Sequence, residues 1–136
     1  MAIQPPATDY AAPVVHCLQR GIGEADEGLG ALDLGTLPAG SIVVGAGVIV
    51  TTAWNGTTPI LDIGTSDDTD GFATDLALGT IGNIVWDELA TSNDLYSASA
   101  VRVQCVVSAT GNDSSAGYGV AYVMFMTKNN RRGRSA

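Results

Sequence analysis

Charge, histidine and cysteine are all scarce in this sequence, and their scarcity limits the chemistry it can perform. Charged residues make up 15% of its 136 residues, well below the roughly 25% of an average soluble domain. A chain with so little charge is expected to bury part of its surface against other chains, which favours a component of an assembly. One histidine and two distant cysteines lack the ligand spacing of a zinc site, and two cysteines make no disulfide framework.

Long apolar runs and basic side chains are also missing. Although 46% of the residues are hydrophobic, no apolar run approaches the ~20 residues of a membrane span. The first 13 residues have neither the basic region nor the apolar core of a signal peptide. Residues 1–127 carry two basic side chains against all 14 acidic ones, and the other basic residues lie in the last nine. Because phosphate repels so acidic a body, we expect no nucleic-acid partner and no membrane partner.

What the sequence does contain is a long β-type pattern over residues 41–65. Side chains alternate in character from residue 41 to 50, which predicts a β-strand. One face of that strand is expected to hold Ile42, Val44, Ala46, Val48 and Val50. Asn55 and Gly56 both suit a tight turn, so we predict an antiparallel hairpin of residues 41–53 and 57–63.

Glycines and two further alternating segments add to this pattern. Gly45 and Gly47 within the long strand predict a bend or the close approach of a neighbouring group. Residues 100–109 alternate with valines and Cys105 facing inward. Residues 117–127 are apolar on both faces, which predicts a central strand or a subunit contact.

The remaining segments complete a fold-class prediction. Residues 14–18 form a short apolar strand and residues 21–35 are interpreted as a loop. Six to eight strands without a long helix predict an all-β fold, an antiparallel jelly-roll or related Greek-key β-sandwich or barrel. This domain is expected to span residues 13–127. Residues 1–12, rich in proline, form an extended N-terminal arm, and residues 128–136 form a short basic C-terminal tail.

His16 and Cys17 are the first candidates for chemistry. A nucleophile and its base must lie side by side, but neighbouring residues of a strand point to opposite faces. We therefore interpret His16 as structural, and Cys17 and Cys105 as buried free thiols, with a pairing of the two across a sheet as the alternative. The sequence predicts no catalytic residue, no metal ligand and no cofactor, so the protein is not expected to be an enzyme.

Acidic and aromatic residues offer two weaker alternatives. Asp67, Asp68 and Asp70 are interpreted as a solvated turn, with a loose calcium site as the alternative. Trp54 and Trp86 are expected to be core or contact anchors. If these tryptophans were exposed beside paired carboxylates, they would instead indicate a carbohydrate-binding or hydrolytic domain.

Two segments resemble the capsid cement, or decoration, proteins of tailed bacteriophages. The first is LPAGSIVVGAGVIVTTAWNGTTPILDIGTSDDTDGFA, residues 37–73, with its LPAG turn, valine-rich strand and TTAWNGTTP segment. The second is VVSATGNDSSAGYGVAYVMF, residues 106–125, in which SAG precedes the last strand. The resemblance covers roughly residues 36–127.

This resemblance implies a structural protein of the virion. Such proteins are jelly-roll domains that sit on the exterior of the capsid and tie neighbouring major capsid protein subunits together. The implied place of assembly is the host cytoplasm. Head-fibre or tail components are the alternative that the same resemblance leaves open.

The two ends of the chain carry no motif of that family, so their roles rest on composition. An arm so rich in proline gains order only along another surface, and we expect it to contact the capsid through Ile3, Pro5, Pro6 and Tyr10. The low charge and the two-sided strand 118–126 predict a homo-oligomer, with a dimer preferred over a trimer.

Overall fold

The computed structural model describes residues 14–86, 95–111 and 113–127, most of which lie in nine β-strands. The strands are β1 (Val15–Gly23), β2 (Leu32–Leu37), β3 (Ser41–Thr52), β4 (Ile60–Gly64), β5 (Ala73–Ala77), β6 (Gly82–Val85), β7 (Tyr96–Ser97), β8 (Val101–Ser108) and β9 (Tyr118–Thr127). A 3₁₀ turn at Glu24–Asp26 follows β1. Among the described residues, no helix has the length and apolar character needed to cross a membrane.

The strands form two antiparallel sheets packed face to face. Sheet A has the order β1-β9-β3-β6, with the short β7 also paired to β3. Sheet B has the order β2-β8-β4-β5. The predicted all-β antiparallel sandwich is confirmed.

The core lies between the sheets and draws on nearly every strand. The inward positions predicted on β8 are confirmed, because Val103, Cys105 and Val107 are completely buried. Leu61 and Ile63 of the neighbouring β4 are equally buried. Each such aliphatic side chain stabilises the fold by about 1.5–3 kcal/mol relative to exposure.

Strand β9 lies between β1 and β3, as its two apolar faces predict. Val123 and Phe125 point into the core and are 0% and 6% exposed. The alternate side chains of β9 lie on the outer face of sheet A. The prediction of a central strand is confirmed.

The predicted hairpin of residues 41–53 and 57–63 is wrong, because β3 belongs to sheet A and β4 to sheet B. The connection crosses the core, and Trp54 within it is 2% exposed. The Asn55 side chain accepts hydrogen bonds from the backbone amides of Ser115 (2.8 Å) and Ala116 (3.3 Å). Asn55 thus connects one loop to another by hydrogen bonds and does not form a hairpin turn. The residue of this connection with a positive φ, 48°, is Thr58.

The predicted faces of β3 are correct only in its second half. The pairing of β3 with β9 shifts register between Val43 and Gly45, and such a bulge exchanges the two faces of a strand. Ala46 and the inward residues after it are buried as predicted. Before the bulge, Ile42 and Val44 point outward and are each 43% exposed.

Two further predictions near the N-terminus need correction. The segment 21–35 is not all loop, because β1 continues to Gly23 and β2 begins at Leu32. Cys17 is exposed rather than buried. It lies opposite Met124 in the pairing of β1 with β9, and this position faces away from the core.

Candidate functional site

The outer face of sheet A is uncharged and largely apolar, with Gln19 and Asn83 as exposed polar residues within it. The pairing registers set its side chains in rows across the strands; one row runs through Tyr96, Ile42, Met126 and Val15. The side chains on the outer face of sheet A include Val15, Cys17, Gln19, Ile42, Val44, Ile49, Thr52, Asn83, Val85, Tyr96, Tyr118, Val120, Tyr122, Met124 and Met126.

The outer face of sheet A differs from the opposite side of the sandwich in its number of charged side chains. The five strands of sheet A contain one charged residue, Arg20. Its Nη1 donates a hydrogen bond to the backbone carbonyl of Asp33 in β2, at 3.0 Å. Arg20 therefore reaches toward sheet B and not onto the outer face. The strands of sheet B contain Asp33, Asp62, Asp75 and Arg102, with Asp33 and Arg102 3.6 Å apart on the surface.

Glycines make the outer face of sheet A flat. Tyr122 lies across Gly47 of β3, where a Cβ atom would come 2.7 Å from the tyrosine oxygen. The Tyr122 hydroxyl donates to Oδ1 of Asn83 in β6, at 2.9 Å. Met124 lies over Gly45 in the same way. The predicted close approach at these two glycines is confirmed, and it lets side chains from β9 lie down over β3.

The same arrangement, a large side chain lying over a glycine, occurs on the other side of β9. Tyr118 lies over Gly21 of β1, where a Cβ atom would come 2.5 Å from the tyrosine oxygen. Large side chains of β9 therefore cover both neighbouring strands. The result is a surface with low relief, suited to contact with another flat surface.

A groove of about 260 Å³ adjoins one end of this face. It is lined by Gly40, Ile42, Tyr96, Met126 and Thr127. Because Val15 pairs with Met126, the described chain begins and ends beside this groove.

The structure separates the two residues considered for nucleophilic chemistry. The His16 ring packs against Phe125 at a centroid distance of 5.3 Å, whereas Cys17 faces outward. Partial burial raises the pKa of the Cys17 thiol, which disfavours the reactive thiolate. Burial also raises the pKa of Cys105, to about 11. The two thiols are free and lie in different sheets.

The acidic loop between β4 and β5 is a self-contained turn. The Asp68 carbonyl accepts hydrogen bonds from the amides of Thr65 (2.9 Å) and Gly71 (3.1 Å), and residues 66–70 are exposed. In the part of the chain that the structure describes, no three His, Cys, Asp or Glu residues are grouped to hold a metal ion. The loose calcium site thus gains no support from the geometry.

Both tryptophans lie against the hydrophobic core. Trp54 is part of the core itself, and Trp86 is partly buried and packs against it. This is the arrangement expected of anchors in a structural protein, whereas a sugar-binding platform needs an exposed ring.

The residues predicted to contact a capsid, Ile3, Pro5, Pro6 and Tyr10, lie outside the described residues. Sequence reasoning missed the uncharged outer face of sheet A. Its signal is visible in the letters, because residues 41–52 and 118–127 contain no charged side chain. The sequence does not show that these two segments pair in one sheet.

Comparison with known proteins finds one relevant similarity in structure. No protein-family model matches the chain, and none of the curated protein sequences matches it. Among solved structures, a chain of the cyanophage Pam1 capsid asymmetric unit is similar, with a TM-score of 0.64 and 18% sequence identity. The similarity covers 94% of each chain, so the two share a fold over nearly their whole lengths.

Proposed function

We propose that this protein is a structural component of a bacteriophage virion that binds the exterior of the capsid and bridges neighbouring major capsid protein subunits. The observation that carries the proposal is the fold shared, over 94% of both chains, with a chain of a phage capsid asymmetric unit. The resemblance of residues 36–127 to cement proteins supports the same role. The protein has no enzymatic role in this proposal.

The strand order supports assignment to the jelly-roll class within the sandwiches. Jelly rolls arrange eight strands as two Greek keys in two sheets. Here the two-residue β7 is additional to the eight strands of the two orders β1-β9-β3-β6 and β2-β8-β4-β5, and the chain changes sheet at most of its connections. The first strand lies beside the last, so the two ends of the domain lie together at one end of sheet A.

Two ends that lie together suit a protein that ties subunits together. The arm, residues 1–12, contacts the capsid through Ile3, Pro5, Pro6 and Tyr10. Extended backbone costs about 1–2 kcal/mol per residue to order, and apolar contacts on the shell offset that cost. Each contact can be weak, because several contacts engaged together multiply affinity.

The proposed protein acts as a homo-oligomer, a dimer in preference to a trimer, assembled in the host cytoplasm. Its acidic residues are compatible with the capsid exterior, where packaged DNA is out of contact. The low charge of the chain and the two-sided strand β9 support self-association.

The test adds purified protein back to heads of the encoding phage that were prepared without it. Three chains are compared: the full chain, a chain lacking residues 1–12, and a chain lacking residues 129–136 as the control for shortening. We expect the full chain to bind and to raise the temperature at which heads burst. The arm deletion should bind more weakly and protect less, with an unchanged β-type circular dichroism spectrum.

Two results would contradict the proposal. If the full chain does not bind heads at all, the capsid role is wrong; antibody labelling on tails or fibres would then support the head-fibre or tail alternative. If the arm deletion binds and protects as well as the full chain, the role assigned to Ile3, Pro5, Pro6 and Tyr10 is wrong.

A further inference from the structure

We infer that the outer face of sheet A binds a second copy of this chain, so that two sandwiches stack face to face around a twofold axis. The inference deepens the homo-oligomer of the proposed function and rests on it. It assigns the contact to a particular surface and predicts its chemistry.

The first argument is the amount of apolar surface exposed on this face. Ile42, Val44, Ile49, Val85 and Tyr118 are between 43% and 52% exposed. A single exposed aliphatic residue is ordinary. An apolar patch continuous across several strands is unusual on a monomer and marks a contact surface.

The second argument is charge, which selects a second copy as the partner. Every acidic residue that the structure describes lies outside the strands of sheet A. As far as the described residues show, two copies that meet through the strands of this face bring no acidic side chains together, despite a formal net charge of −8 for each chain. Contact through the loop carrying Asp67, Asp68 and Asp70 would oppose acidic groups directly. A basic partner would be attracted to those acidic surfaces instead of to this neutral one.

The third argument is size and shape. The five strands of sheet A together contain 37 residues, which at ~3.3 Å per residue and ~4.8 Å between strands present roughly 600 Å² per copy. Two copies would bury about 1,200 Å², the lower limit for specific protein interfaces. Flatness matters at this size, since sheets pack face to face at ~10 Å. Tyr122 and Met124 provide it by lying down over Gly47 and Gly45.

The test uses a thiol placed on the face as a reporter of coverage. Val44→Cys is made in a Cys17→Ser background, where the remaining Cys105 is completely buried. The matched control is Leu29→Cys in the same background, because Leu29 is 64% exposed and lies in the loop before β2. The rate of reaction with a small thiol reagent is measured for both proteins over a range of protein concentrations.

We expect the Val44→Cys thiol to react at least tenfold more slowly in concentrated than in dilute protein, while Leu29→Cys reacts equally fast in both. Protection that does not change with dilution, in a protein that sediments at the single-chain mass, would mean that the chain covers its own face, and would overturn the inference. Fast reaction at every concentration would mean that nothing covers the face, and would also overturn it.

A second pair of variants tests the interface by charge. Ile49→Glu places a carboxylate on the face, and Leu29→Glu adds the same charge elsewhere. By sedimentation equilibrium, we expect Leu29→Glu to keep twice the 13.9 kDa chain mass and Ile49→Glu to sediment at the single-chain mass. An Ile49→Glu protein that remains a dimer would overturn the inference.

If Ile49→Glu does not fold, the thiol reporter tests the same point without it. Neither measurement uses phage heads, so a failure of the dimer contact is distinguished from a failure to bind the capsid.

Discussion

Replacing Gly117 with alanine tests how the connection between the two sheets is held. Gly117 precedes β9 and has a φ of 156°, which side chains rarely tolerate. A Cβ atom on Gly117 would overlap the indole ring of Trp54. Trp54 is 2% exposed and lies in the segment that crosses from β3 to β4. The variant must therefore displace a buried ring, bend the backbone, or both.

The expected loss of stability follows from two costs. Overpacking a core costs about 1–3 kcal/mol, and a strained backbone conformation costs a further ~1–3 kcal/mol. The sum is about 2–6 kcal/mol. An unfolding entropy of ~2.1 cal/mol/K per residue makes this a decrease in Tm of roughly 7–20 °C for a chain of this length.

The assay is urea unfolding, followed by circular dichroism and by tryptophan fluorescence. Gly79→Ala is the matched control, because its Cβ would lie 3.9 Å from the Trp54 carbonyl oxygen, an ordinary contact. We expect Gly79→Ala to stay within about 1 kcal/mol of the parent protein. If Gly117→Ala does the same, the described packing of Gly117 against the Trp54 ring is wrong.

Two other predictions concern single side chains. Asn55→Ala removes the acceptor for the amides of Ser115 and Ala116 and should lower the free energy of unfolding by about 1–2 kcal/mol. Asn55→Asp keeps an acceptor and should lower it by less. Equal losses of stability would argue against the role of Asn55 as the acceptor that joins the two loops. Burial raises the pKa of Cys105 from its ordinary 9.0 to about 11, so the unfolded chain releases this proton at lower pH than the folded one. The free energy of unfolding should therefore fall as pH rises from 9 to 11, measured by urea unfolding at each pH. Cys105→Ala should show a shallower fall, and an identical fall would contradict the assignment.

Sequence periodicity was enough to predict the class of fold and the inward side chains of β8. Burial of one face imposes a period of two on a strand, so Val103, Cys105 and Val107 could be assigned to the core from their spacing alone. The central position of β9 followed from the same logic, since both of its faces are apolar.

The hairpin prediction failed because a turn signal does not specify the next pairing partner. Asn55 and Gly56 do occur in a connection, but β4 pairs with β8, where Ile60 lies opposite Ser108. That contact joins residues far apart in sequence, and local propensity contains no information about it. The burial of Trp54 between the sheets is what directs the chain across the core.

The faces of β3 and the exposure of Cys17 could not be predicted for a related reason. A bulge moves every later side chain to the opposite face, and Gly45 alone did not show whether the strand bends there or only admits a close neighbour. Cys17 lies in an apolar run, yet the outer face of sheet A is itself apolar. Hydrophobic character alone could not distinguish the core from an exposed apolar face.

The adjacency of the first and last strands has a mechanical consequence. Because β1 and β9 are antiparallel and Val15 lies opposite Met126, the two ends of the domain leave from the same point. Forces that pull those ends apart would open the β1–β9 ladder like a zipper, loading its hydrogen bonds one at a time. Forces that pull both ends the same way would leave that ladder intact. If both ends are tethered, the domain resists tension best when the two anchors lie on the same side of the domain, because both ends are then pulled in one direction.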